Sequence, residues 1–229
     1  MPAVPSTLAD LTSTLARPEA PLITYYDEAT GERIELSGTT TANWVAKTSN
    51  FLIDDLDAEP GTRVRIGLPS HWLRLVWLLS VWNVGAAAVD DGADIGVSGP
   101  ELEADEPQRV AASLRPLGGR FVEPPTGFLD IALEVPGHGD HFVPLDPPES
   151  SALALDLSAC RATHAELLEQ STPDARRLLI GPQDLAADAR RLIAACRGNG
   201  SLVVVTSATP DRIARVASQE AAQIAEAIP

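Results

Sequence analysis

The amino-acid sequence predicts an α/β fold, a mostly parallel sheet with helices on both faces, together with an N-terminal β-hairpin. Three observations carry this. Short apolar runs at 152–156, 177–180 and 202–206 alternate with amphipathic stretches of helical period at 162–170, 185–197 and 210–224, the pattern of strands buried on both sides by crossover helices. Two strand-like runs, LITYY and ERIEL, flank a polar turn containing Gly31, which is hairpin chemistry. The chain also has 229 residues at 45% hydrophobic content, enough to build a sizeable core.

The elements follow in order. A leader containing Pro2, Pro5 and Pro18 precedes the hairpin. Ser37 and the threonines at 39–41 then offer N-caps to a helix whose apolar side carries Trp44, Val45, Thr48, Leu52 and Ile53. EPGTRVRIGLP supplies a Pro-Gly turn and a strand, residues 71–84 a buried helix capped by Ser70 and stopped by Gly85, and AAAVD the next strand. DIGVSG reads as a strand, and 107–117 as a helix with Val110, Leu114 and Leu117 on one side. Residues 118–148, rich in Gly, Pro and acids, form a long excursion around a short strand at 128–133. The chain is read as one domain, 1–229, in which the excursion either divides subdomains 1–117 and 149–229 or joins halves whose strands pair in one layer.

Composition excludes several partners. A net charge of -15 and a pI near 4.5 repel nucleic-acid phosphates and anionic lipid, so neither nucleic acid nor membrane is expected. Cys160 and Cys196 lack the spacing of a disulfide framework or a metal site and are expected as reduced, half-buried thiols. The first thirty residues show no cationic start followed by an apolar core, and Arg74, Asn83 and Gly85 interrupt the apolar stretch 71–89. A cytoplasmic protein is the expectation.

The order YYDEATGERIEL, TANWVAKTSNFL, AEPGTRVRIGLPSHW, LLSVWNVGAAAV resembles the N-terminal part of the adenylate-forming superfamily: acyl-CoA synthetases, aryl-CoA ligases and the adenylation domains of peptide synthetases. Active members follow their next strand with a TSGTTGxPKG loop and a helix starting near Thr-His. Glycine there lets backbone wrap phosphate, and the lysine supplies a compact cation. In this chain SALALDL takes the strand position and ATHAELLEQ the helix, with Thr163 and His164 at the Thr-His position and only Ser158, Ala159, Cys160 and Arg161 between. The glycines and the lysine are missing. Lys47, the only lysine, falls on the first long helix and is expected to solvate its face. RLLIGPQDLAADARRLIAACRGNGSLVVVT resembles the family's next strand, helix, Gly-rich turn and strand. The adenine-stacking segment, the ribose-binding Asp and the mobile C-terminal domain of active members find no counterpart in this sequence. The resemblance therefore implies a truncated domain, and fold more than activity. The chain is also similar to a group of short actinobacterial AMP-binding-like proteins, consistent with its Arg-for-Lys, Ala-rich usage.

The expectation is a non-catalytic relative, a pseudoenzyme that binds a small-molecule ligand or a partner protein, with no catalytic residues assigned. One alternative is a reduced enzyme or a nucleotide- or acyl-binding protein in which Ser158, Arg161 and Thr163 hold a phosphate or carboxylate at a helix N-terminus. The other is a structural homo-oligomer that covers apolar surface. No cofactor is implied by the residues themselves; AMP or ATP is the expectation only if nucleotide binding is retained. No metal is expected, because HGDH (His138, Asp140, His141) lacks a third ligand nearby and reads as solvated loop. GNGS follows a helix and precedes a strand, so it reads as a helix cap and turn and not a dinucleotide loop. Ser70 and His71 form no nucleophile elbow. Trp72, Trp77 and Trp82 sweep around their helix, some toward the core and one toward an interface, and ELEADEPQ reads as a solvated segment ahead of a helix.

Overall fold

The computed structural model describes residues 5–15 and 20–226, so Pro2 and Pro18 of the leader lie outside the described residues. The α/β architecture is present, arranged as two sheets. A short helix α1 (Ala9–Thr14) precedes the hairpin β1 (Pro21–Asp27) and β2 (Glu32–Ser37). This hairpin does not stand alone. β1 is buried along its middle and lies parallel to β11 (Ser201–Thr206), with Tyr25 opposite Val204. β2 alternates buried and exposed residues and closes the edge. Sheet A thus runs β12 (Gln223–Ile224), β10 (Arg177–Ile180), β11, β1, β2.

Sheet B runs β7 (Leu129–Asp130), β6 (Gln108–Ala111), β5 (Ile95–Ser98), β3 (Arg63–Gly67), β4 (Ala87–Val89), β8 (Leu153–Leu157), β9 (Cys160–Thr163), parallel except at β9. Because β8 pairs with β4 through Ala88 and Leu155, the stretch 118–148 does not separate two sheets. Sheet A joins the start of the chain to its last fifty residues, and sheet B holds the middle.

The helices fill the space around the sheets. α2 (Gly38–Asp54) starts at Ser37, whose side chain accepts from the Thr40 N–H, as the sequence requires. α3 (Trp72–Asn83) is buried at every position, and Trp72, Trp77 and Trp82 are 1%, 0% and 0% exposed. None of the three reaches a surface, because the helix is packed on all sides. It touches α1, α2, α6 (Leu185–Gly198) and both sheets. Trp82 Nε1 donates to the Ala154 carbonyl at 3.0 Å. The cap of α3 is His71, whose Nδ1 accepts from the Leu73 N–H. Ser70 instead accepts from Arg74 and from the Gln183 N–H. Arg74 is buried and pairs with Asp188 of α6 while donating to the Leu68 and Gln183 carbonyls, which ties the two sheets together. Among the described residues no helix is long and apolar enough to cross a membrane.

Four sequence expectations are corrected. Residues 107–117 form β6 and a short 3-10 turn, not a helix: Val110 and Ala111 pair with β5 and β7, and Pro116 starts the turn. The strand at 128–133 shrinks to β7, because Asp130 accepts from the Ala132 N–H and starts the short helix α4 (Ile131–Glu134). The last helix, α7 (Pro210–Gln219), stops before Ala221, which is left-handed at φ 47°, and Gln223–Ile224 then pairs with β10. ELEADEPQ precedes β6, and its Glu106 is held by Arg65 with a nearly buried side chain.

Candidate functional site

The corner flagged by the sequence is a β-hairpin. β8 and β9 pair antiparallel with Leu157 opposite Cys160, so only Ser158 and Ala159 form the turn. The helix expected from residue 162 begins instead at His164 as α5 (His164–Gln170). Ala162 is spent on the sheet, where it pairs with Leu155 and is buried. A turn of this length has no backbone to spare for wrapping an anion.

The three residues proposed to hold an anion are each bonded within the hairpin or to its neighbour. The Ser158 N–H donates to Asp90 Oδ2 at 2.6 Å. Arg161 pairs with Asp156 at 3.0 Å, and Arg63 approaches the other oxygen of the same carboxylate. Thr163 caps α5 with its hydroxyl, accepting from the Glu166 N–H, while the Glu166 carboxylate accepts from the Thr163 N–H and hydroxyl. This capping box places the protein's own carboxylate at the helix N-terminus. These hydrogen bonds hold the Glu166 carboxyl below its ordinary range. The structure thus distributes Ser158, Arg161 and Thr163 along the hairpin, each with an internal partner.

His164, at the Thr-His position, is fully buried, and its Nδ1 accepts from the Leu8 N–H at 3.2 Å. Burial holds its imidazole neutral, with the pKa pulled down to about 4. His71 is in the same state, buried against Tyr25 and Trp72, with its pKa also drawn to about 4 by burial. Both rings act as structural acceptors. The crevice where strand order reverses in sheet B, beyond the carboxyl ends of β3 and β5, is the usual ligand position in such sheets. There Leu114, held left-handed at φ 52°, and Pro69 pack against Gly99.

The remaining motifs fall as follows. His138 and His141 diverge: His138 sits against Phe51, 3.1 Å from Asp55 and 3.4 Å from Asp54, while the His141 side chain is 98% exposed. His138 is therefore mostly buried, because the excursion is strapped onto α2. Lys47, expected to solvate its helix, donates to the Pro136 and His138 carbonyls, and Asn50 donates to those of Gly139 and His141. GNGS is the cap of α6, with Asn199 left-handed at φ 65°. No disulfide joins Cys160 and Cys196, and Cys196 is buried.

A polar cluster on sheet A escaped the sequence reading. The Glu220 carboxylate, at the end of α7, accepts from Tyr26, Arg33 and Arg177; Arg177 also donates to Thr24 at 2.8 Å and to Ser201 at 3.1 Å. Burial alone would push the Glu220 carboxyl up, but these donors hold it down at about 2. No local motif could reveal this group, because its members lie in β1, β2, β10 and β11 and just beyond α7.

The fold is that seen in acyl-CoA synthetases of known structure. The chain is similar to the acyl-CoA synthetase of Brucella canis, with a TM-score of 0.78 at 12% identity over 95% of this chain and 46% of that one. It is also similar to the acetoacetyl-CoA synthetase of Streptomyces lividans, with a TM-score of 0.74 at 16% identity over 94% of this chain and 41% of that one. At such identities the likeness is one of fold. In sequence the chain is 46% identical to a TIGR03089 family protein of Mycobacterium tuberculosis over 145 residues, 58% of this chain and 60% of that protein. The chain spans less than half the length of the two synthetases and 60% of the relative. No family model matches it.

Proposed function

We propose that this chain uses an adenylate-forming scaffold for binding, of a small-molecule ligand or a partner protein, and does not itself activate carboxylic acids. One observation carries the reading. The strand-to-helix corner, where active members wrap a polyphosphate, is here a two-residue turn, Ser158-Ala159, that contains neither glycine nor lysine. A triphosphate tail needs several converging N–H donors and a cation, and the donors present are engaged by Asp90, Asp156 and Glu166.

The purified chain, supplied with ATP, magnesium and a panel of short, long and aromatic carboxylic acids, is expected to release no pyrophosphate. Calorimetry with ATP and AMP is expected to show no heat. Turnover of ATP with any acid overturns the reading. Binding of ATP or AMP that is abolished by Arg161→Ala supports the alternative, a nucleotide site at Ser158, Arg161 and Thr163.

A further inference from the structure

The outer face of sheet A is covered unevenly. Strand alternation and register place Leu179, Val203, Val205 and Tyr26 on this face, under Val216 and Ala217 of α7. One pleat nearer the strands' N-terminal ends lie Arg177 and Ser201, which are paired in register. Glu35 stands opposite Thr24 on the same face. α7 has ten residues and so spans only about 15 Å. Its end leaves this row under a cavity of about 370 Å³, walled by residues 219–221 on one side and by Leu22, Cys196 and Asn199 on others. That volume falls in the range of small-molecule pockets.

We propose that this cavity binds a small amphipathic amine, a protonated ammonium on an apolar body. Resting on the reading of the chain as a binding protein, this proposal names the ligand class. The charge pattern selects the sign. Both guanidiniums near the cavity are engaged: Arg177 by Glu220, Thr24 and Ser201, and Arg33 by Glu35 and Glu220. Arg33 takes only one oxygen of Glu35, whose side chain is 39% exposed. α6 and α7 both end at the cavity wall, through Asn199 with Gly200 and through residues 219–221. Their carbonyl ends carry partial negative charge, which favours a cation. The net charge of -15 adds to this preference. Leu15, Pro21, Leu22 and Ala195 supply the apolar wall for the ligand body.

The test uses phenethylamine, with benzoate and benzyl alcohol as anionic and neutral counterparts, titrated to millimolar concentration against the full chain and followed by amide NMR. The amine is expected to shift Leu22, Gly38, Ser201 and Ala221, with benzoate giving no shifts. Glu35→Gln should weaken the amine by about fivefold, the effect of removing one partly exposed charge. Ala175→Trp, at an exposed lining position, should fill the cavity and abolish the shifts while the rest of the spectrum stays folded. Benzoate binding as well as the amine, shifts that survive Ala175→Trp, or no shifts with any probe would each overturn the proposal. ATP turnover is read separately, so failure here and failure of the non-catalytic reading are distinguishable.

Discussion

The Ser158 corner and the outer face of sheet A put similar residues to opposite use. At the corner, Arg161, Thr163, Asp156 and Glu166 satisfy one another within a few residues of chain, and the loop between the strands is reduced to two residues. On sheet A, Tyr26, Arg33, Arg177 and Glu220 come from distant parts of the sequence and meet only because the hairpin joins the last strands. Local satisfaction draws backbone tight against backbone and leaves no room. Long-range satisfaction holds elements apart at fixed positions, and a cavity remains at the edge of the cluster. The Ser158 corner is closed, and the outer face of sheet A is open.

The strongest test of this contrast asks whether the two regions share one folding unit. Arg74 and Asp188 form a buried pair that links α3 of the sheet B layer to α6 of the sheet A layer, with side chains 8% and 4% exposed. Arg74→Met leaves the Asp188 carboxylate buried without its cation and is expected to cost about 3–5 kcal/mol. Urea denaturation should show a lower midpoint in a single transition. Two separated transitions would mean that the closed corner and the open face are independent modules, and the contrast between them would then say nothing about one protein.

Acid separates the regions next. The imidazoles of His71 and His164 are neutral in the folded chain with pKa values near 4, against 6.5 when free in solution. The unfolded state therefore binds more protons between those values, so stability is level above pH 6.5 and falls as pH drops from 6.5 toward 4. The loss is about 2–3 kcal/mol per histidine. Glu220 acts lower: its carboxyl is depressed from 4.5 to about 2, so its contribution is present above pH 4.5 and is lost as pH falls toward 2. His164→Gln should remove about half of the loss in the upper window, leaving the His71 half, and Glu220→Gln should flatten the lower window alone, in urea midpoints taken across pH. If Glu220→Gln changed the upper window, the two regions would be electrostatically coupled rather than distinct.

Legibility in the sequence followed the range of the interactions. The hairpin, the Ser37 cap, the buried helix after Pro69 and the strands at 177–180 and 202–206 rest on periodicity and caps and stand within a residue or so of where those signals place them. The closed corner was readable because it consists of missing residues in a short stretch. What escaped depends on partners far along the chain. Val110 belongs to a strand because β5 and β7 flank it, and His71 rather than Ser70 caps α3 because Ser70 is claimed by Arg74 and Gln183. The fate of Lys47 depended on carbonyls some ninety residues away. The Glu220 cluster and its cavity had no local trace at all.

A smaller effect tests how the corner is held. Thr163→Ala removes the hydroxyl that accepts from the Glu166 N–H, and with it one half of the capping box. It should cost about 1 kcal/mol. Thermal unfolding should report that loss with the pocket's amide shifts unchanged. A variant that also altered the amine titration would show the corner reaching the sheet A face through α5 and α6, which touch one another.

The smallest expected effect separates loop length from charge. Lengthening the Ser158-Ala159 turn to Ser-Gly-Gly-Ala doubles the loop, which costs only about 0.6 kcal/mol. The strands β8 and β9 keep their pairing, Asp90 keeps its negative charge beside the new backbone, and Asp156 keeps Arg63 and Arg161 engaged. The longer loop alone should therefore still fail to bind ATP in calorimetry, because the Asp90 carboxylate repels a triphosphate and the loop adds no cation to offset it. Adding a lysine to the loop, together with Asp90→Asn, supplies a cation and removes one repulsion, and a millimolar affinity for ATP should then appear. Binding by the glycine variant alone would show that backbone length, and not missing charge, is what closes the site.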